Sequence, residues 1–171
     1  MQNIKHFLRG NIYTKIKTLA TIPENTITKM DLINMKNLPY KNRILISSQF
    51  IHSEMPVRFA RRIIELEDLP FNIDQYHNIT NIRDWYSQSL EDILNIPYPT
   101  EFTQCSIFND KILKIVNRHS TTLDSMSKGI NELKTTNTID DEFNLNFFLT
   151  KFHKNRTKTR LLLHNYLEYH K

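Results

Sequence analysis

Cysteine is nearly absent from this chain of 171 residues. The single one, Cys105, excludes an internal disulfide framework and any zinc site built on cysteine. Glycine is almost as scarce, with 2 residues, Gly10 and Gly129, neither in a Gly-rich run. A phosphate-cradling loop of the P-loop or dinucleotide type therefore has no material here. The same scarcity, with little apolar–polar alternation, argues against a sandwich or barrel. No apolar run approaches the roughly 20 residues of a membrane span. The 7 histidines are scattered without HExxH spacing, so no metal site is expected. No His–Asp–Ser order suggests an activated nucleophile.

Acid is missing from the start of the chain, where the first carboxylate is Glu24. Residues 1–21 carry Lys5, His6, Arg9, Lys15 and Lys17 among Ile4, Phe7, Leu8, Ile12 and Ile16. That is the composition of a mitochondrial transit peptide, and equally of an ordinary first helix with a positive outer face. The whole chain has a net charge of +5 and a pI near 9.3. The charge is modest and spread out, which points away from nucleic acid as the main partner.

What the chain does have is helical periodicity. Hydrophobic residues make up 39% and charged residues 24%, as in a globular domain. Ile112, Ile115, Val116, His119, Leu123, Met126, Ile130 and Leu133 recur with a period near 3.6, predicting one continuous helix through Lys111–Lys134. A short helix is expected over Thr26–Met35, capped by Asn25 or Thr26. A longer one is expected from Lys41 to Leu69, kinked at Pro56. On it Phe59, Ile63 and Leu66 form an inner stripe, and Arg58, Arg61, Arg62 and Glu65 an outer one, with Arg61 and Arg62 read as solvated. Ile79, Ile82, Tyr86, Ser89, Leu90 and Ile93 mark a helix from Ile79 to Leu94, with Trp85 at the stripe's edge. After a polar break at Thr135–Asp141, Leu145, Phe148, Phe152, Arg156, Thr159, Leu163 and Tyr166 mark a last helix from Asp141 to Tyr169. Four substantial helices with short connections predict an all-α fold, an antiparallel four-helix bundle with short N-terminal helices.

Three inner stripes carry polar residues. Tyr86 and Ser89 lie on one helix, His119 on another and Arg156 on a third, with Arg160 at its margin. An arginine inside a bundle keeps its charge, so it must meet a carboxylate, a phosphate or water. Mostly donors, this set suits a small anion held between helices. The alternative is a set of core polar residues satisfied by carbonyls and carboxylates of neighbouring helices.

Four motifs occur in order: Glu54 to Ala60 (EMPVRFA), Trp85 to Ser89 (WYSQS), Asn117 to His119 with Met126 to Gly129 (NRH and MSKG), and Phe148 to Arg160 (FLTKFHKNRTKTR). Together they resemble the N-terminal regulatory domain of the mitochondrial pyruvate dehydrogenase kinases and the related branched-chain 2-oxoacid dehydrogenase kinases, over roughly Ile27 to Leu163. The resemblance implies a four-helix-bundle regulatory domain over 22–171. It implies a pocket for pyruvate-like carboxylates at Phe59, Tyr86, Ser89, Ile115, His119, Asn155, Arg156, Thr159, Arg160 and Leu163. Here Val116 stands where the family commonly has Arg, Asn155 where it has Ser, and Phe59 where it has Leu.

The resemblance also implies docking on a lipoyl domain of the dihydrolipoyl acyltransferase core, through an apolar crevice at Ile27, Leu32, Met35 and Phe50. Leu32 and Met35 replace two family phenylalanines. Family members act in the mitochondrial matrix as protein-serine kinases that phosphorylate and inactivate the pyruvate dehydrogenase component. They use ATP and Mg2+ in a further domain, through which they also form homodimers. This chain shows none of that domain's motifs up to Lys171, so by itself it is expected to hold no cofactor and to phosphorylate nothing. A stand-alone, non-catalytic binding module for lipoyl domains is the alternative. The pyruvate-type motifs tilt the expectation toward the pyruvate complex.

Overall fold

The computed structural model describes the backbone of residues 2–136 and 144–171, and the side chains of 12–136 and 144–171. Among the described residues are seven α-helices, two short 3-10 turns and no strand. The helices are α1 (Gln2–Thr21), α2 (Lys29–Lys36), α3 (Tyr40–Glu67), α4 (His77–Leu94), α5 (Cys105–Arg118), α6 (Thr122–Thr135) and α7 (Leu145–Tyr169). The all-α class is thus observed. None of these helices is long and apolar enough to cross a membrane.

The core follows the heptad-like spacing of α3. Ile44, Ser48, Ile51, Met55, Phe59, Ile63 and Leu66 are all buried, at intervals of three or four residues. Pro56 sits in the middle of α3 without ending it. At 28 residues α3 is about 42 Å long and serves as the axis of the molecule. It packs against α1, α4, α5 and α7, while α6 packs on α4 and α5 on α7. Counting α5 and α6 as one broken rod, this pairing fits an antiparallel bundle of four. On α4 all six expected inner residues are buried, and Trp85 is half-buried at the edge.

Several details differ from expectation. The helix through Lys111–Lys134 is two helices, broken at His119–Thr121. The carbonyl of His119, which an unbroken helix would offer to Leu123, instead accepts from the backbone N–H of Thr122 (3.3 Å), the Thr122 hydroxyl (2.9 Å) and Arg156 Nη2 (3.3 Å). Serine and threonine side chains in 120–122 favour such local bonds over helix continuation. The break is short enough that Met126, Ile130 and Leu133 stay buried, but Leu123 turns outward.

The N-terminal helices are not both short, since α1 has 20 residues. Its Ile16 is buried, and Ile12, Leu19 and Ala20 pack against the core. The cap of α2 is Thr28, not Asn25 or Thr26. Thr28 forms a capping box with Asp31, and Asn25 is engaged elsewhere. The expected start of the last helix at Asp141 lies outside the described residues.

The outer arginines of α3 are a further correction. Arg62 is 2% exposed and Arg58 is 4% exposed, because α1 and the α1–α2 connection cover that side of α3. Glu24 reaches Arg58 at 3.2 Å and Arg62 at 3.4 Å. Glu54, itself buried, accepts from the Asn25 backbone N–H (3.1 Å), Asn25 Nδ2 (2.7 Å) and Arg58 Nε (2.7 Å). Arg58 Nη2 donates to the Asn25 carbonyl at 2.9 Å. Arg61 is partly exposed, and donates to the Ile22 carbonyl at 2.8 Å. Charge pairing of this kind is what permits arginine below the surface.

Candidate functional site

Two cavities matter. The first, of about 260 Å³, is lined by Phe59, Tyr86, Val116, Asn117, His119, Ser120, Arg156, Thr159, Arg160, Leu163 and His164. It lies where α3, α4, the α5–α6 break and α7 meet. Of the ten residues named for a carboxylate pocket, seven line it. Ser89, Ile115 and Asn155 do not. Ser89 is wholly buried and bonded to the ring of His119. Ile115 is wholly buried in the core, and Asn155 is half-buried on α7.

The polar wall is built on rings. His119 stacks on Phe59, with centroids 5.7 Å apart, and lies 4.5 Å from the Tyr86 ring. Phe59 and Tyr86 are 5.8 Å apart. Burial, reinforced by the positive charges of Arg118 and Arg156, pushes the His119 pKa down to about 3, so the ring is neutral near pH 7. Burial likewise pushes the Tyr86 phenol up to about 12, against the pull of Arg62 and Arg156. Tyr86 therefore keeps its proton. Arg156 is held by one hydrogen bond, to the His119 carbonyl, and its buried Nε has no partner. His119 Nδ1 is also buried without a partner. Both residues line the cavity, so it is bordered by two side chains whose hydrogen-bonding capacity the protein itself does not fill.

Behind His119 stands a chain of polar groups. Arg118 Nη1 donates to Ser89 Oγ at 2.8 Å and Arg118 Nη2 to Asp92 at 2.7 Å. Lys111 donates to the other Asp92 oxygen at 3.0 Å. Burial alone would raise the Asp92 carboxyl, but the bonds from Arg118 and Lys111 outweigh it and hold it below the usual carboxylate range.

The second cavity, of about 450 Å³, is open and mostly apolar. It contains all four crevice residues: Ile27 from the α1–α2 connection, Leu32 and Met35 from α2, and Phe50 from α3. Ile51, Leu162, Tyr166 and Tyr169 complete it, with Asn25, Thr26, Asp31, Ser47 and Asn165 at its polar positions. α2 has no buried residue. It is tied down by Tyr169, whose hydroxyl donates to the Leu32 carbonyl at 3.3 Å, and by Arg43, which donates to the Lys36 carbonyl at 2.9 Å.

Sequence reasoning missed Asn117, Ser120 and His164 in the first cavity, and in the second the α7 residues together with Asn25, Thr26, Asp31, Ser47 and Ile51. His164 follows Arg156 and Arg160 at intervals of four, a spacing that could have found it. Ser120 could not be placed without the helix break. Among the described residues no group of three or more His, Cys, Asp or Glu could hold a metal.

The family model described as mitochondrial branched-chain alpha-ketoacid dehydrogenase kinase matches residues 11–171. The mitochondrial [pyruvate dehydrogenase (acetyl-transferring)] kinase of Arabidopsis thaliana is 32% identical over 132 residues, covering 77% of this chain and 36% of that protein. Isozyme 4 of the same kinase from Homo sapiens is 33% identical over 125 residues, covering 71% of this chain and 30% of that protein. Isozyme 1 from Rattus norvegicus is 30% identical over 124 residues, covering 70% and 29%. The chain thus spans about a third of the length of these curated relatives.

Proposed function

This chain belongs to the mitochondrial 2-oxoacid dehydrogenase kinase family, as its N-terminal regulatory domain, and we propose that it docks a mitochondrial protein-serine kinase onto the pyruvate dehydrogenase complex. The partner is a lipoyl domain of the acyltransferase core, in the matrix. The observation that carries this reading is the convergence of Ile27, Leu32, Met35 and Phe50 on one open apolar crevice. A lipoyl group is a long hydrocarbon arm ending in an apolar dithiolane, and each CH₂ it buries contributes roughly 0.8 kcal/mol. The crevice matches that chemistry in polarity and opens to the surface for the carrier domain. No residue of this chain is assigned a phosphoryl-transfer role.

Calorimetric titration with a lipoylated domain tests the reading. Binding is expected with the lipoylated form and not with the unmodified form. Phe50→Ala should weaken it by about tenfold, the loss of ~1.4 kcal/mol of apolar contact. Arg61→Ala, about three turns further along α3 and outside the crevice lining, should leave it within twofold. Equal effects of the two substitutions would overturn the assignment of the crevice.

A second reading, favoured by the two orphaned nitrogens of His119 and Arg156, is that the smaller cavity senses a small carboxylate. Arg156 supplies the fixed positive charge, and Phe59, Val116 and Leu163 supply an apolar wall for the tail. Pyruvate should raise the melting temperature of the protein, and Arg156→Ala should abolish that rise. No rise in the unaltered protein would sink this reading without touching the first.

A further inference from the structure

Resting on the carboxylate reading of the smaller cavity, we propose that Arg118 and Ser89 act as positioning residues: they fix His119 in its Nδ1–H tautomer, so that the ring donates a hydrogen bond to the bound carboxylate.

The Arg118 guanidinium can only donate. Its Nη1 lies 2.8 Å from Ser89 Oγ, and its Nη2 is anchored on Asp92 at 2.7 Å. One lone pair of Ser89 is therefore taken by an N–H that cannot reverse its role. Ser89 Oγ is also 3.0 Å from His119 Nε2. Two arrangements remain. If Nε2 carries the proton, Ser89 accepts twice and its own hydroxyl proton has no acceptor, at a residue that is 0% exposed. His119 Nδ1 is then a bare acceptor, also without a partner. If Ser89 donates to Nε2, the hydroxyl is satisfied in both roles and the ring proton must sit on Nδ1. The second arrangement leaves one buried orphan instead of two.

The neutral state of the ring supports this, since burial and the neighbouring charges of Arg118 and Arg156 keep a second proton off it. What is left is an N–H with no acceptor, on a residue that lines the cavity. Arg156, which also lines the cavity, carries a second unpaired donor, its buried Nε. A carboxylate bound there brings acceptor oxygens, which this pair of donors lacks within the protein. The break between α5 and α6 makes the arrangement reachable. By ending the helix at Arg118, it lets Arg118 turn to α4 while the adjacent His119 ring packs on Phe59 and Tyr86.

The test is long-range ¹H–¹⁵N correlation NMR on the ¹⁵N-labelled 171-residue chain, with the His119 signals assigned by their loss in His119→Phe. A protonated-type Nδ1 and an unprotonated-type Nε2 are expected, and the reverse pattern overturns the proposal whatever pyruvate does. Arg118→Met removes the obligatory donor and should move the ring toward Nε2–H, while Arg118→Lys should keep the original pattern. An unchanged pattern in a folded Arg118→Met also overturns it. Ser89→Ala is the second variant should Arg118→Met fail to fold, and a tautomer that survives the loss of the hydroxyl counts against the positioning role. Titration with pyruvate should perturb Nδ1 more than Nε2. Pyruvate that raises the melting temperature yet leaves Nδ1 unmoved removes the donor role. Absence of any pyruvate effect removes the carboxylate reading itself, and the tautomer measurement tells the two failures apart.

Discussion

His119 is the residue whose environment most changes its chemistry. Its pKa falls from 6.5 to about 3 on folding. The unfolded chain therefore binds more protons between those values, and stability must fall as pH drops through that window. Above about pH 6.5 the contribution is constant. Urea unfolding across pH 4–7 should show a slope that flattens in His119→Gln, with a difference on the order of a few kcal/mol at the acid end. A parallel slope in the variant would mean that other groups carry the acid sensitivity. The importance of His119 was legible in the sequence, because one ionisable group stood in an apolar stripe. Its state was not, since the rings of Phe59 and Tyr86 come from two other helices. Arg62 shows the opposite error. Its position on α3 reads as an outer face, but burial depends on α1 and on Glu24 folding over it, which α3's own periodicity cannot reveal.

At the scale of elements, the helices whose inner face meets one layer were legible almost residue by residue. α4 is the clearest, with Ile79, Ile82, Tyr86, Ser89, Leu90 and Ile93 all buried. The α5–α6 break was not legible, because a three-residue interruption nearly preserves helical phase and the stripe reads straight through it. The competing hydroxyls of 120–122 were the available signal. The two halves do different work: α5 presents Arg118 at its end, with His119 just beyond it, while α6 packs on α4. Gly129 lies directly against Ile79 of α4 in that packing. A Cβ built there would lie 2.5 Å from Ile79 Cγ1, on a β-branched side chain that is itself buried. Gly129→Ala would gain up to ~1 kcal/mol of helix propensity and lose about 1–3 kcal/mol to overpacking. A net destabilisation of about 1 kcal/mol is expected in denaturant titration. A stabilised variant would show that α6 can slide away from α4 without cost.

Over the whole molecule, α7 joins the two cavities. Leu162, Tyr166 and Tyr169 line the open crevice, while Arg156, Thr159 and Leu163 line the smaller pocket, so adjacent residues 162 and 163 serve different sites. The crevice also depends on residues it does not contain. Asn25 is part of its wall, and both oxygens of Glu54 hold Asn25 in place. Glu54 is buried on α3 and absent from the lining. Glu54→Gln keeps the shape but removes the charge that Arg58 and Asn25 share. Hydrogen bonds to a charged group contribute about 1.5–3 kcal/mol each, so a stability loss of roughly that size is expected in urea. The sharper expectation concerns binding. With Asn25 released, the crevice wall loses its anchor, and affinity for a lipoylated domain should fall several-fold. The melting-temperature rise with pyruvate should persist, because no residue of the smaller cavity bonds to Glu54. Loss of both responses would mean that Glu54 holds the bundle as a whole. Retention of both would mean that Asn25 is held well enough by Arg58, whose Nη2 still donates to its carbonyl.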